Sequence, residues 1–338
     1  MKKNNFWKNK TIFITGIAGF VGSNLAKSLI NDGAKIVGLT RSKKVDSLLY
    51  FEKLDRNIDL IFGEITDKEL LAGIFLKYPI DICFHLAAQV EVGLAYKYPF
   101  LTWETNIRGT YTLLEAIRES KKKVRSIIIA SSDKAYGEYP LKKLPYKENY
   151  ELKAQFPYDT SKACADMIAK SYSNKLFKLP IVITRFANIY GPGQLNFSAL
   201  VPDAIKSCLL NKKFIVRSDG EAIRDFIYIK DITDLYKLLS KNLYTNPKKF
   251  SGEVFNAGTN KMHKIRDVIT KIFKYAKKNK DLNLIYREMK QKKTKGEIST
   301  QLMDFEKINL YLGWKPKYQF TKTLPILFRW YKKYFKKR

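Results

Sequence analysis

Tyr158 and Lys162 stand four residues apart at the start of a helical pattern, so their side chains project from one face. An ammonium beside a phenol stabilises the phenolate and draws its pKa down from about 10, making Tyr158 a base for a hydroxyl group. The Tyr-x-x-x-Lys spacing is weak by itself in a chain with 21 tyrosines. Its weight comes from the strand end that precedes it, Ser131-Ser132-Asp133-Lys134-Ala135-Tyr136-Gly137. There Ser132 offers a hydroxyl, and Asp133 is an acid if burial raises its pKa. Lys134, as a neutral amine or through water, is a candidate base. The plainer alternative is that Asp133 and Lys134 only hydrogen-bond their loop.

A second chemistry is written into Thr15-Gly16-Ile17-Ala18-Gly19-Phe20-Val21-Gly22, between a strand and a helix. Gly16 permits the tight turn, Gly19 lets backbone approach a diphosphate, and Gly22 lets the helix pack close. The helix N-terminus faces the phosphate charge. In the first βα unit of a parallel sheet, this turn is a dinucleotide site. After the second strand, Gly38-Leu39-Thr40-Arg41-Ser42 lacks the carboxylate that would hold ribose hydroxyls. Arg41 would pair with a 2′-phosphate, which favours NADP and leaves NAD open.

Such groups need strand ends and helix starts to hold them. Strands are predicted at Thr11–Thr15, Lys35–Leu39, Asp59–Phe62, Ile82–Leu86, Arg125–Ala130 and Pro180–Arg185. Between them fall helical patterns at Val21–Asp32, Thr105–Ser120 and Ser161–Leu176. Strands alternating with helices imply right-handed βαβ units and a parallel sheet, with ligands at the carboxyl ends of the strands. Residues 1–185 read as a dinucleotide-binding domain, rejoined by a segment near 230–260 that includes Val254–Asn256. Residues 186–338 read as a smaller α+β substrate region with a helix at Lys264–Lys277.

Composition narrows the function classes. With 45% apolar and 28% charged residues, the chain builds a large core and is not disordered. Lys plus Arg number 63 against 32 Asp plus Glu, a net +31 that would attract anions. No block of like charge is long enough to read as a nucleic-acid arm, so the charge is read as a solvated surface. Three cysteines and two histidines, His85 and His263, argue against a disulfide framework and a zinc site. His85 is expected to pack or to bond backbone. The start Met1-Lys2-Lys3 fails as a signal peptide because glycines interrupt the apolar run, and no stretch is apolar enough to span a membrane. A cytoplasmic protein is expected. The aromatic, basic tail Leu324–Arg338 is either a packed terminal helix or a membrane-surface anchor.

Taken together, the motifs resemble the extended short-chain dehydrogenase/reductase family, and within it the nucleotide-sugar 4,6-dehydratases and epimerases. The resemblance runs through Thr15–Gly22, His85-Leu86-Ala87-Ala88-Gln89, Asn106, Ser131–Gly137 and Pro157–Lys162. It continues through Arg185–Pro192, Arg224-Asp225-Phe226-Ile227-Tyr228 and Asn256-Ala257-Gly258. It implies a Rossmann fold, a doubly wound parallel sheet with a C-terminal substrate domain, and a homodimer. It also implies bound NAD or NADP against Gly16, Ala18, Gly19, Phe20, Val21, Gly22, Arg41, Glu64, Ile65, Leu86, Ala87, Ala88, Tyr158 and Lys162. Epimerases in the family need only the serine or threonine, Tyr and Lys. Dehydratases add acid/base residues directly after the serine, and Asp133-Lys134 looks most like CDP-glucose 4,6-dehydratases, with GDP-mannose the second choice. The implied reaction oxidises C4, eliminates water and returns hydride to C6. Candidate substrate contacts are Gln89, Asn188, Leu200, Val201, Arg217 and Arg224, the arginines because guanidinium forks bind phosphate oxygens bidentately. Arg185, at a strand end, reads as structural. The alternatives are a 4-epimerase on the same fold, and a non-enzymatic cofactor-sensing or anionic-surface-binding protein.

Overall fold

A computed structural model describes residues 5–292 and 298–337, so the leader-like Met1-Lys2-Lys3 lies outside the described residues. Its strands in chain order are β1 (Thr11–Thr15), β2 (Lys35–Thr40), β3 (Ile58–Phe62), β4 (Ile82–His85), β5 (Ser126–Ala130) and β6 (Ile181–Phe186). They continue with β7 (Asn188–Tyr190), β8 (Ile223–Arg224), β9 (Phe226–Tyr228), β10 (Val254–Ala257) and β11 (His263–Lys264). Seven form one sheet in the order β10-β6-β5-β4-β1-β2-β3. Neighbours from β3 through β6 pair in parallel. The Ile183 amide donates to the Glu253 carbonyl and the Ala187 amide to that of Ala257, so β6 and β10 also advance together. Strand order reverses at β1, where β2 lies on one side and β4 on the other, the switch point at which α/β sheets hold ligands.

The strand sequences explain the layering. Every residue of β1, β4 and β6 is buried, as mainly apolar strands covered by helices on both faces must be. One face packs Phe13, Val37 and Ile127 against Leu71 and Ile74 of helix Lys68–Lys77 and Leu113 and Ile117 of helix Gly109–Glu119. Edge strand β3 is only partly covered.

The expected elements form, with informative shifts. The helix expected over Ser161–Leu176 runs from Pro157 to Tyr172, since proline at the first helical position costs no hydrogen bond. Tyr158 therefore lies inside the first turn. The helix expected from Thr105 begins with a π-type turn, Glu104–Arg108, before Gly109–Glu119. The tail forms helix Phe320–Lys336, but Tyr331 and Tyr334 are buried. Tyr331 donates to the Gln194 carbonyl at 2.6 Å, and Phe335 lies against Phe197. Packing thus consumes the aromatic face that a membrane-surface anchor would present. No helix among the described residues is long and apolar enough to cross a membrane.

The chain divides into two compact units. The first comprises Met1–Gly137, Glu148–Arg185 and Thr233–Phe255, and the second Glu138–Lys147, Phe186–Ile232 and Asn256–Arg338. Segment Glu138–Lys147 falls in the second because the Tyr146 amide donates to the Leu302 carbonyl and Asn256 Nδ2 to the Tyr146 carbonyl. In that unit β7 pairs with β9 in parallel, and β8 with β11 antiparallel.

Candidate active site

One register row crosses the sheet through Leu39, Thr15, His85, Ile129 and Ile183. The loops that carry the sequence motifs leave the strands just past it. Thr15 Oγ1 accepts from the Leu86 and Ala87 amides at 3.1 Å and meets His85 Nδ1 at 2.9 Å. His85 Nε2 meets Thr110 Oγ1 at 3.1 Å, and that hydroxyl already donates to the Asn106 carbonyl. The chain of donors is consistent only if Thr15 donates to Nδ1 and Nε2 carries the proton. Burial, aided by the charge of Lys162, pulls His85 down to about 3. The imidazole is a neutral spacer, and its partners are threonine hydroxyls rather than the backbone.

The glycine turn is built by exclusion. Gly16 has φ +68°, and a Cβ there would lie 2.8 Å from the Ala87 backbone. A Cβ on Gly22 would lie 2.4 Å from the Gly16 carbonyl oxygen. On Gly19 it would touch that same oxygen at 3.0 Å and nothing else within 4 Å, so the remaining side of Gly19 is an open cradle. Gly19 is the N-cap of helix Phe20–Asn31 with no side chain capping it, which leaves the first-turn amides of Phe20, Val21 and Gly22 without intrahelical acceptors. Open space lined by amide donors fits an anionic diphosphate. Ala18 is buried under the turn, and Leu86, Ala87 and Ala88 flank it half-buried. Arg41 is exposed just past β2, and Glu64 is exposed. Ile65 is core, beneath Gly109, whose added Cβ would lie 2.5 Å from its Cγ2.

The proton-handling groups gather where β5 ends. Ser132 caps the turn Asp133–Tyr136, donating to Asp133 Oδ1 at 3.0 Å and accepting from the Lys134 amide at 3.2 Å. It is also hydrogen-bonded to the Tyr158 phenol. Lys162 Nζ donates to the Ala130 carbonyl at 2.5 Å. Burial brings Lys162 down to about 8, with Asp166 opposing. The expected lowering of Tyr158 by this ammonium is not met. Burial pushes the phenol up, the Ser132 bond pulls against it, and the charges of Asp133 and Asp159 add to the rise. Arg185 fixes the floor of the group. Its Nε and Nη2 grip both Asp166 oxygens at 2.7 and 2.9 Å, and its Nη1 donates to the Tyr136 hydroxyl at 2.9 Å.

Several expected substrate contacts are spent elsewhere. Gln89 Nε2 donates to the Glu91 carbonyl and Thr102 Oγ1, and Oε1 accepts from the Glu91 amide, so this side chain folds its own loop. Asn106 holds the Gln89 amide and carbonyl and donates to Ser161 Oγ at 2.8 Å, tying that loop to the Tyr158 helix. In the second unit Asn188 Nδ2 donates to the Asp225 carbonyl at 3.3 Å. Arg224 is buried and donates to the carbonyls of Ile223 and Ser299, because a guanidinium out of water must satisfy its donors locally. Arg217 pairs with Asp203 at 2.7 Å, and Leu200 and Val201 open helix Leu200–Leu210, Val201 being buried. Two site residues went unread in the sequence, Thr110 and Asp159. Asp159 adjoins Tyr158, and that adjacency was the available signal.

A dinucleotide cradle at the switch point of a doubly wound sheet, with a Tyr/Lys pair beside a neighbouring strand end, is the arrangement of the extended short-chain dehydrogenases/reductases. Within that class the chain belongs to the GDP-mannose 4,6 dehydratase family, whose model matches residues 13–326. It is similar to CDP-glucose 4,6-dehydratase of Salmonella typhimurium, 29% identical over 98% of this chain and 93% of that one. Human dTDP-D-glucose 4,6-dehydratase is 28% identical, over 96% of this chain and 91% of its own. Among solved structures, Bacillus anthracis dTDP-glucose 4,6-dehydratase in complex with NAD superposes with a TM-score of 0.81 at 28% identity, covering 96% of this chain and 97% of that one. UDP-glucose 4-epimerase of Thermotoga maritima gives 0.80 at 26% identity, covering 96% and 99%.

Proposed function

We propose that the protein is a nucleotide-sugar 4,6-dehydratase that converts an NDP-hexose to the NDP-4-keto-6-deoxyhexose. The observation that carries this reading is the Asp133-Lys134 pair, set by Ser132 against Tyr158 where β5 ends. A nicotinamide dinucleotide on the Gly16–Gly22 cradle supplies the hydride acceptor for C4 and the donor for C6. Tyr158 takes the C4 hydroxyl proton as the phenolate, which its hydrogen bond to Ser132 favours against burial. The resulting 4-ketone acidifies the C5 proton. Lys134, as a neutral amine or through water, takes that proton; the C5–H electrons form the C5–C6 double bond. The C6 hydroxyl leaves with its bonding pair and the Asp133 proton, as water. Epimerisation requires neither of the last two residues.

CDP-glucose is the first choice of substrate and GDP-mannose the second, a ranking that rests on the Asp133-Lys134 dipeptide. Arg41 past β2 supports NADP over NAD. We place the enzyme in the cytoplasm, where its three unpaired cysteines stay reduced. We further propose a homodimer. Helices Val92–Lys97, Pro99–Trp103, Gly109–Glu119 and Pro157–Tyr172 expose Leu94, Phe100, Leu101, Trp103, Tyr111 and Met167, more large apolar side chains than a monomer ordinarily leaves in water.

The test is incubation with CDP-glucose, GDP-mannose, dTDP-glucose and UDP-glucose, with mass spectrometry of the products. A 4-keto-6-deoxy sugar from at least one is the expected result. Clean interconversion of C4 epimers, with no water lost from any of the four, would make the protein an epimerase. In Asp133→Asn the Ser132 bond has an acceptor to keep, so C4 oxidation should persist while water loss slows sharply.

A further inference from the structure

Three connections enter adjacent strands at the amino-terminal edge of the sheet, the end away from the reactive loops. They run from helix Gly109–Glu119 into β5, from helix Pro157–Tyr172 into β6 and from helix Ile229–Thr245 into β10. Residues 120–125, 173–180 and 246–253 carry eight Lys or Arg against one acid, Glu253, where the whole chain carries 63 against 32. All eight cations are exposed. Ser251 Oγ donates to the Leu179 carbonyl at 3.0 Å, and the Ile127 amide donates to the Pro180 carbonyl at 2.9 Å, so the connections lie side by side. With strands about 4.8 Å apart they fall within roughly one Debye length and act as one field. The bias is local. Residues 78–81, entering β4, and 32–34, entering β2, hold Asp81 and Asp32 and no cation.

Two further features mark this edge. Arg125 and Lys10, each one residue before a strand, converge on Tyr244. Lys10 Nζ donates to its hydroxyl at 2.9 Å and Arg125 Nη1 at 3.4 Å, and the two charges lie 4.6 and 4.2 Å from its ring. They share a neutral side chain rather than a carboxylate, so an anion brought from outside would relieve their mutual repulsion. The second feature is an apolar tip. Asn174 Oδ1 accepts from the Leu176 and Phe177 amides at 2.8 and 3.3 Å, fixing a turn that leaves Leu176 77% exposed between Lys175 and Lys178. Phe177 stacks on Tyr172 behind it, ring centroids 5.0 Å apart.

We propose that this edge docks the protein on an anionic lipid bilayer, its lysines at the lipid phosphates and Leu176 among the headgroups. A lone exposed leucine is ordinary on a protein in water. A leucine held out on a fixed turn between two lysines matches a layer that is charged outside and apolar beneath. Seven of the eight cations are lysine, which suits a diffuse surface charge, whereas nucleic-acid contacts favour the planar fork of arginine. Nucleic acid also offers Leu176 no apolar layer to enter. Docking in this way leaves the site open, because the five residues of β5 set the turn at Ser132 about 16 Å from the docked edge. The inference goes beyond the dehydratase reading and holds whether the chain dehydrates or epimerises its sugar.

The experiment is flotation of the full chain with phosphatidylcholine vesicles, with and without about 30% phosphatidylserine, beside binding to duplex DNA. Wild type should float only with phosphatidylserine and should be released by about 0.5 M salt. Each lysine at such a surface is worth about fivefold, so replacing Lys121, Lys123 and Lys175 together by Gln should weaken vesicle binding roughly 100-fold. The control removes equal charge from helix Phe320–Lys336, as Lys322→Gln, Lys332→Gln and Lys333→Gln, and should cost less than about threefold. Leu176→Ser should weaken vesicle binding about three- to tenfold and leave DNA binding unchanged. Thermal unfolding should match wild type in every variant, since each replaced side chain is exposed. A wild type that ignores phosphatidylserine would overturn the proposal. Equal losses in the two triple variants would reduce the effect to net charge and overturn it as well. So would a Leu176→Ser protein that keeps wild-type vesicle affinity.

Discussion

Substituting Gly22 by alanine tests the nucleotide cradle directly. The backbone there is ordinary helix, so the whole effect is steric. The new Cβ would sit 2.4 Å from the Gly16 carbonyl oxygen and 2.9 Å from Ile17 Cα, both main-chain atoms that no rotamer can move aside. Relief requires the helix start and the glycine turn to separate by about 1 Å, and overpacking of this kind costs about 1–3 kcal/mol of stability. The same displacement pulls the first-turn amides away from a bound diphosphate. Losing one charge-assisted hydrogen bond costs about 1.5–3 kcal/mol, so nucleotide affinity should fall roughly 10- to 100-fold. Gly73, within helix Lys68–Lys77, is the internal control, since a Cβ there meets nothing within 4 Å. Gly73→Ala should gain up to about 1 kcal/mol from helix propensity and leave affinity alone. Thermal unfolding and calorimetric titration with NAD and NADP would read both quantities. A Gly22→Ala protein with wild-type Tm and wild-type affinity would refute the cradle.

Tyr158→Phe should slow turnover about 10²- to 10⁴-fold while nucleotide affinity holds, because only the proton relay is removed; wild-type turnover in a steady-state assay would unseat this residue as the base. Arg185→Met strands the buried Asp166 carboxylate and should cost about 3–5 kcal/mol in equilibrium denaturation; a loss below about 1 kcal/mol would deny the clamp its structural role. Lys162 is lowered from 10.5 to about 8 by burial, so its contribution to stability is complete above pH 10.5 and is lost as pH falls through about 8. The stability of wild type minus that of Lys162→Met should therefore drop by roughly 3 kcal/mol from pH 10.5 to pH 7. A difference that stays flat with pH would show the ammonium to be solvated.

Much of the site was legible because it is made of local patterns. The glycine spacing and the Tyr158/Lys162 spacing each describe one turn or one helix face, and both survive folding unchanged. The strand runs were equally plain, since β1, β4 and β6 are largely apolar and buried along their whole length. What the sequence could not show was where each polar side chain spends its hydrogen bonds. Arg224 resembles a phosphate ligand as a residue type, yet it is buried against two carbonyls supplied by Ile223 and by the distant Ser299. Gln89 is consumed by Glu91 and Thr102, partners set by a loop whose path no periodicity predicts. The sign of the Tyr158 shift depended on burial, which a spacing rule does not contain.

The row from Leu39 to Ile183 bears on how such a protein can diverge. Because β1, β4 and β5 end within one residue of that row, the position of each reactive loop that follows them is counted from a common edge. Inserting one residue within β5 would advance Ser132, Asp133 and Lys134 by about 3.3 Å and turn each to the opposite face. No gradual path leads through that change to a new chemistry. Exchange of the side chains at 133 and 134 leaves the count intact and alters only which protons can be moved. Descendants of this chain can therefore trade one sugar transformation for another by substitution, whereas gains and losses of length are confined to loops beyond the reactive turn.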